Sequence, residues 1–319
     1  MELQIGRAVK IVFQTVPYLL YRAVVYGLIC VAVAILLLFL ALIGYVFSSG
    51  AAMVVFVLFM AAGGWGSKLL REYVLYLLRA GHVAVITEII ERGSLPQGVS
   101  QTQWGSDKVK TFFKEISVLA LIDQMIKGII KKLNRTLFRM MNILPLPGLD
   151  KAAKLIQKVV DFSLTYIDES ILAYTFKTKS ENVYESAKVG VILYCQSWKG
   201  LLKNAVMLTL LCYAFTLVSA ILFLVPLGGI ALVLPQTWGF AKFGLFVLAL
   251  FMGFSLKWIL FDPIACTATI LTFLKETENM TPDSAWEERI EKVSDQFKEL
   301  KQKAMSQVST TQSPLEAEA

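Results

Sequence analysis

Lys257, Asp262 and Pro263 form the constellation best suited to chemistry in this chain. A lysine and a carboxylate five residues apart follow directly on an apolar stretch, and the proline removes a backbone donor beside the carboxylate. Ionisable groups inside a membrane are costly and mark functional sites by default. The bland alternative is that Lys257 snorkels to the interface while Asp262 already meets water. The stretch from Trp238 to Leu256 is long enough to carry Lys257 to that boundary. His82 is the sole histidine, and Glu88 and Glu91 follow six and nine residues later. Neither shares its helical face at i+3 or i+4, so a metal site has little support. Asp168 and Glu169 are adjacent, and adjacent side chains diverge on a helix. Solvated or packed side chains are the default for all of these. The sequence has no phosphate-cradling glycine loop, no Gly-x-Ser-x-Gly and no His-Glu-x-x-His. No enzyme activity, catalytic residue, metal or cofactor is therefore expected.

The elements that hold these residues are apolar. Ala23 to Phe47 carries no charge and exceeds the roughly 20 residues a helix needs to cross the hydrocarbon core. Ser48-Ser49-Gly50 turns the chain, and Ala51 to Gly66 is apolar again. A second hairpin rises from Ala205 to about Leu234, turns at Pro235 to Gly239 and returns from Phe240 to Leu256. Small residues such as Gly27, Ala34, Gly44 and Gly63 permit close helix approach. The hydrophobic fraction of 56% lies above the roughly 45–50% of soluble chains. The mean hydropathy is +0.62. Cys30, Cys195, Cys212 and Cys266 lie in or beside apolar stretches without regular spacing and read as small buried hydrophobes.

The net charge of +7 is unevenly placed. The N-terminus and the centre are basic, the tail beyond Lys257 is acidic, and the stretches Ser48 to Gly50 and Pro235 to Lys242 hold Lys242 alone. By the positive-inside rule both termini and the centre are cytoplasmic. The expected fold class is an all-α polytopic membrane protein, with two transmembrane hairpins making four spans. Cytoplasmic amphipathic helices and a C-terminal heptad helix complete it. Residues 1–22 read as an interfacial amphipathic helix with Ile5, Val9, Val12 and Val16 on one face, or as a plain extension of the first span. Hairpin 1 covers 23–66 and hairpin 2 covers 205–256. A basic helical region spans 67–204, and a helical extension at the inner interface spans 257–280. The heptad helix covers 281–305, and a disordered tail covers 306–319.

Within the central region, periodicity runs through Tyr76 and Val83 to Ile90 and stops at Gly93-Ser94-Leu95-Pro96. The polar stretch Gln97 to Lys110 reads as a loop. From Ile116 to Met140 an apolar stripe (Leu119, Ile122, Ile126, Ile129, Leu133) leaves Lys127, Lys131, Lys132, Arg135 and Arg139 off it. Such a basic row either faces anionic lipid or belongs to a cytoplasmic helical layer. Leu144 to Gly148 breaks the helix, and Asp150 caps the next. In the tail, Thr281 caps and Pro282 opens a helix. Trp286, Ile290, Val293, Phe297 and Leu300 then make a coiled-coil seam. That seam serves either as an oligomerisation surface or as a docking face on the protein's own cytoplasmic layer.

The halves also correspond at an offset of 182 residues: Gln14-Thr15 with Gln196-Ser197, Leu19-Leu20 with Leu201-Leu202, and Ala23-Val24 with Ala205-Val206. Duplication, giving parallel repeats, competes here with chance agreement among apolar residues. Asn182-Val183-Tyr184-Glu185-Ser186-Ala187-Lys188 and Phe261-Asp262-Pro263-Ile264-Ala265-Cys266, followed by Phe273-Leu274, resemble segments of the choline-transporter-like membrane protein family. The resemblance covers about a third of the chain and implies transport of a small organic cation or a related lipid-precursor role. That family has about ten spans, against four here, so no substrate site carries over.

Two functions follow from these features. The first is a homo-oligomeric pore or transporter-like assembly for a small solute or lipid-related substrate, since four spans rarely enclose a polar path alone. The second is a non-transporting scaffold that recruits a cytoplasmic protein partner. Expected partners are anionic inner-leaflet lipid, further copies of the chain and a cytoplasmic protein, with no nucleic acid. The expected location is a plasma membrane or bacterial inner membrane.

Overall fold

The computed structural model describes residues 4–69, 76–113, 116–140 and 166–312. Among the described residues the chain is helical throughout and contains no strand. In order the helices are α1 (Ile5–Gln14), α2 (Val16–Val46), α3 (Ser49–Leu69), α4 (Tyr76–Arg92), α5 (Gln101–Phe113) and α6 (Ile116–Met140). They continue with α7 (Ile167–Thr178), α8 (Val183–Val233), α9 (Gly239–Leu256), α10 (Asp262–Glu276), α11 (Ser284–Val293) and α12 (Asp295–Gln312). A 3₁₀ turn at Gln236–Trp238 precedes α9, and a π-helical turn at Lys257–Phe261 follows it. Three runs are long and apolar enough to cross a membrane: Val16–Val46, Val183–Val233 and Gln236–Glu276. A shorter apolar helix covers Ser49–Ala61. These are the features of an integral membrane protein.

The chain divides into two compact units. The apolar unit comprises Val16–Arg79 and Leu210–Ile264. There α2 packs on α3 and α9, around a core of Leu40, Ala52 and Phe240. Two glycines allow close approach. A Cβ on Gly44 would stand 3.1 Å from Phe240 Cβ, and one on Gly253 would stand 2.8 Å from the Ala220 Cα on α8. The outward faces are apolar too: Leu28, Ile35, Leu38 and Leu42 on α2, and Leu217, Leu222 and Val225 on α8, are each more than half exposed. Water would make that arrangement costly, whereas hydrocarbon does not.

The amphipathic unit comprises Met1–Thr15, Ala80–Thr209 and Ala265–Ala319. Its hub is α6, which packs against α5, α7, α11 and α12. The stripe Leu119, Ile122, Ile126, Ile129 and Leu133 is buried as the spacing predicts. Helix α4 is buried nearly all round, from Ala80 through Val83, Ala84, Val85 and Ile86 to Ile89. Gly93 ends that segment at φ +80, with its N–H on the Ile89 carbonyl at 2.9 Å.

Several expectations need correcting. The supposed loop 97–110 contains α5: Ser100 Oγ accepts from Gln103 N–H at 3.2 Å as a cap, and Val109 and Phe113 are buried. Its polar residues lie on the exposed side of an amphipathic helix. Arg22, placed at the end of the first segment, lies inside α2. The break falls instead at Thr15, because Pro17 has no N–H to offer the Phe13 carbonyl. The packed face of α1 is Ala8, Ile11, Val12 and Thr15, one step round from the expected stripe. The tail is two helices: Ser294 is extended and its hydroxyl caps α12 through Phe297 N–H at 3.3 Å. Asp283, not Thr281, caps α11, accepting from Ala285 N–H at 2.8 Å. The last helix also runs on to Gln312, into the stretch expected to be disordered. The breaker at Leu144–Gly148 and the cap at Asp150 lie outside the described residues.

Candidate functional site

Helix α9 carries no charge beyond Lys242 and ends at the expected constellation. The π turn brings Lys257 Nζ within 2.7 Å of Asp262 Oδ1, with the two side chains 10% and 19% exposed. A buried pair of this kind is held by geometry, since desolvation offsets much of its attraction. Pro263 stands directly after the carboxylate. The structure adds a residue that the sequence reading passed over: Arg22 of α2, itself buried, donates from Nη1 to the Trp258 carbonyl at 3.3 Å. No sequence signal pointed to it, because its partner is a backbone atom 236 residues away.

Ring contacts place this cluster along the helix pair. Tyr45 meets Trp238 at 5.5 Å, and Tyr26 meets Trp258 at 5.4 Å. At about 1.5 Å per residue the two ring pairs are about 30 Å apart along α2 and α9. That is the thickness of a hydrocarbon core, and Trp and Tyr concentrate at its two edges. Arg22, Lys257 and Asp262 lie at or just past the second ring pair. Their position matches an interface better than a bilayer midplane.

His82 is buried and pairs through Nε2 with Thr15 Oγ1 at 2.8 Å, tying α4 to the end of α1. Asp168 and Glu169 are buried at the start of α7, and Asp168 Oδ2 meets Lys127 Nζ at 3.3 Å. Lys127 also meets Asp123 at 2.6 Å, and Lys132 reaches Asp295 at 3.7 Å. Two of the basic residues expected to face lipid therefore reach acids of this chain, while Lys131 is exposed. The side chains of Arg135 and Arg139 lie outside the described residues. Burial pulls the Lys127 ammonium down, but Asp168, Asp123 and Glu169 outweigh it and hold it above the ordinary lysine value.

Of the tail seam, Ile290, Phe297 and Leu300 are fully buried and Trp286 and Val293 half-buried within this one chain, where α11 and α12 pack on α6. Gly128 of α6 lies directly under the Gln296 side chain, whose terminal amide would have to swing aside for a Cβ. Asn182 Nδ2 donates to the Ala304 carbonyl at 2.7 Å. The Asn182 motif also has a local explanation: its Oδ1 caps α8 through Glu185 N–H at 3.0 Å, and Lys188 pairs with Glu185 at 3.0 Å.

The chain matches no protein-family profile, no curated protein and no solved structure.

Proposed function

We propose that this protein is a membrane-anchored scaffold that crosses the bilayer four times, with both termini in the cytoplasm, and recruits a cytoplasmic protein through its amphipathic unit. The observation that carries this reading is the burial of Ile290, Phe297 and Leu300 on the chain's own α6. Three of the five seam residues that would join copies are thereby turned onto the chain itself, which favours the scaffold over a ring. The apolar unit adds support, since its polar side chains are few and Ser219 and Ser255 are buried in helix contacts. The amphipathic unit offers anionic inner-leaflet lipid the exposed Arg7 and Lys10 of α1.

The test is flux. Purified protein reconstituted in liposomes should pass neither small ions nor small organic cations faster than empty vesicles. Flux above that background would restore the pore or transporter reading and, for organic cations, the implication of the choline-transporter-like resemblance.

A further inference from the structure

The run from Gly239 to Glu276 is α-helical except for the π turn at Lys257–Phe261. The Asp262 N–H bonds to the Lys257 carbonyl, five residues back. In an α-helix it would bond to Trp258, four residues back. Pro263 comes next and has no N–H in either register. The two registers therefore strand different carbonyls. An α register leaves Ile259 without its helical donor, and a π register leaves Trp258 without one. Arg22 donates to Trp258, the carbonyl stranded by the π register.

The ion pair selects the same state independently. Lys257 and Asp262 are five apart, and on an α-helix the facing neighbours are three and four apart. A π turn joins residue i to i+5, and the two side chains meet at 2.7 Å.

We propose that Arg22 is a register-setting residue: its guanidinium stands in for the amide that Pro263 lacks and, with the Lys257–Asp262 pair, holds Lys257–Phe261 in the π state against the α state. A change of register by one residue turns the following helix by about 100°. The turn is thus a two-state element at the end of α9, of the kind π-bulges provide at functional sites.

The test is suppression in the full-length protein in detergent. Arg22→Gln should speed amide exchange across 256–264 by about tenfold to a hundredfold, the loss of one charge-assisted bond, and lower the unfolding temperature. Pro263→Ala restores the missing amide, so the double variant should return to the value of Pro263→Ala alone. Losses that simply add would overturn the proposal, because a merely packed or charged Arg22 gains nothing from an amide at 263. Should Arg22→Gln fail to accumulate, recovery of expression in the double variant supports the proposal and continued failure overturns it. For the ionic half, Asp262→Asn should speed exchange and the swap Lys257→Asp with Asp262→Lys should restore it. A swap as damaged as the single variant would remove the pair from the mechanism.

Discussion

Thr15 spends its hydroxyl hydrogen on the Val12 carbonyl at 2.7 Å, so its oxygen can only accept at the 2.8 Å contact with His82. His82 Nε2 must therefore carry a proton. Thr15→Val keeps the shape and leaves that buried N–H without its acceptor, which should cost about 1–3 kcal/mol in thermal unfolding. Lys127 is the second residue whose role is electrostatic. Lys127→Met leaves Asp168 buried without its ammonium, again a loss of about 1–3 kcal/mol at neutral pH. The sign with pH follows from its raised value. The stabilisation is complete below the ordinary lysine range and is lost as pH rises through the higher folded value. On the alkaline side, chemical denaturation of wild type and variant should accordingly converge only in strong alkali.

At the scale of elements, α12 packs on α6 with Phe297, Leu300 and Ala304 all buried. Phe297→Ala should cost about 3–5 kcal/mol and expose the tail to limited proteolysis near Ser294. Around that break, Lys301 pairs with Glu287 at 3.0 Å and Glu291 at 2.9 Å. Hydrogen bonding from Lys301 holds Glu291 below the usual carboxylate range, and Lys298 does the same for Asp295. Depressed carboxylates stabilise above their unfolded value and lose that as pH falls through the folded one, so these exposed pairs should hold α11 against α12 through mild acid and weaken only below the ordinary carboxylate range. In the apolar unit, Gly253→Leu drives a side chain into the Ala220 backbone, and that contact cannot yield by a rotamer change. Cysteine pairs placed across α8 and α9 should then cross-link more slowly than in the wild type.

For the whole molecule, topology and assembly separate the two functional readings. Asn134-Arg135-Thr136 and Asn279-Met280-Thr281 are sequons that the proposed four-span arrangement would keep in the cytoplasm. Expressed through a glycosylating membrane, neither should gain a glycan; modification of either would invert or re-count the spans. Phe297→Asp places a charge in a buried contact, which should release the tail without changing the detergent-corrected mass. A fall in mass would mean that the seam also joins copies, and the scaffold reading would yield to the assembly.

Uncharged apolar length was enough to mark an all-helical membrane protein with long apolar helices, because a helix crossing hydrocarbon must satisfy its backbone internally and needs nothing else from its neighbours. The stripe of α6 was legible for a similar reason: periodicity is local. It could not say which partner covers the stripe or the tail seam, since an apolar face fits another copy as well as its own chain. Gln14-Thr15 and Gln196-Ser197 look alike in sequence, yet the chain breaks at Thr15 and runs unbroken through Ser197 in α8. Proline stands two residues after Thr15, and Lys199 stands at the matching place. Lys257, Asp262 and Pro263 were visible as a cluster from spacing alone. Only the tertiary structure supplied Arg22, because the group it satisfies is a backbone carbonyl, which every residue carries and no sequence marks.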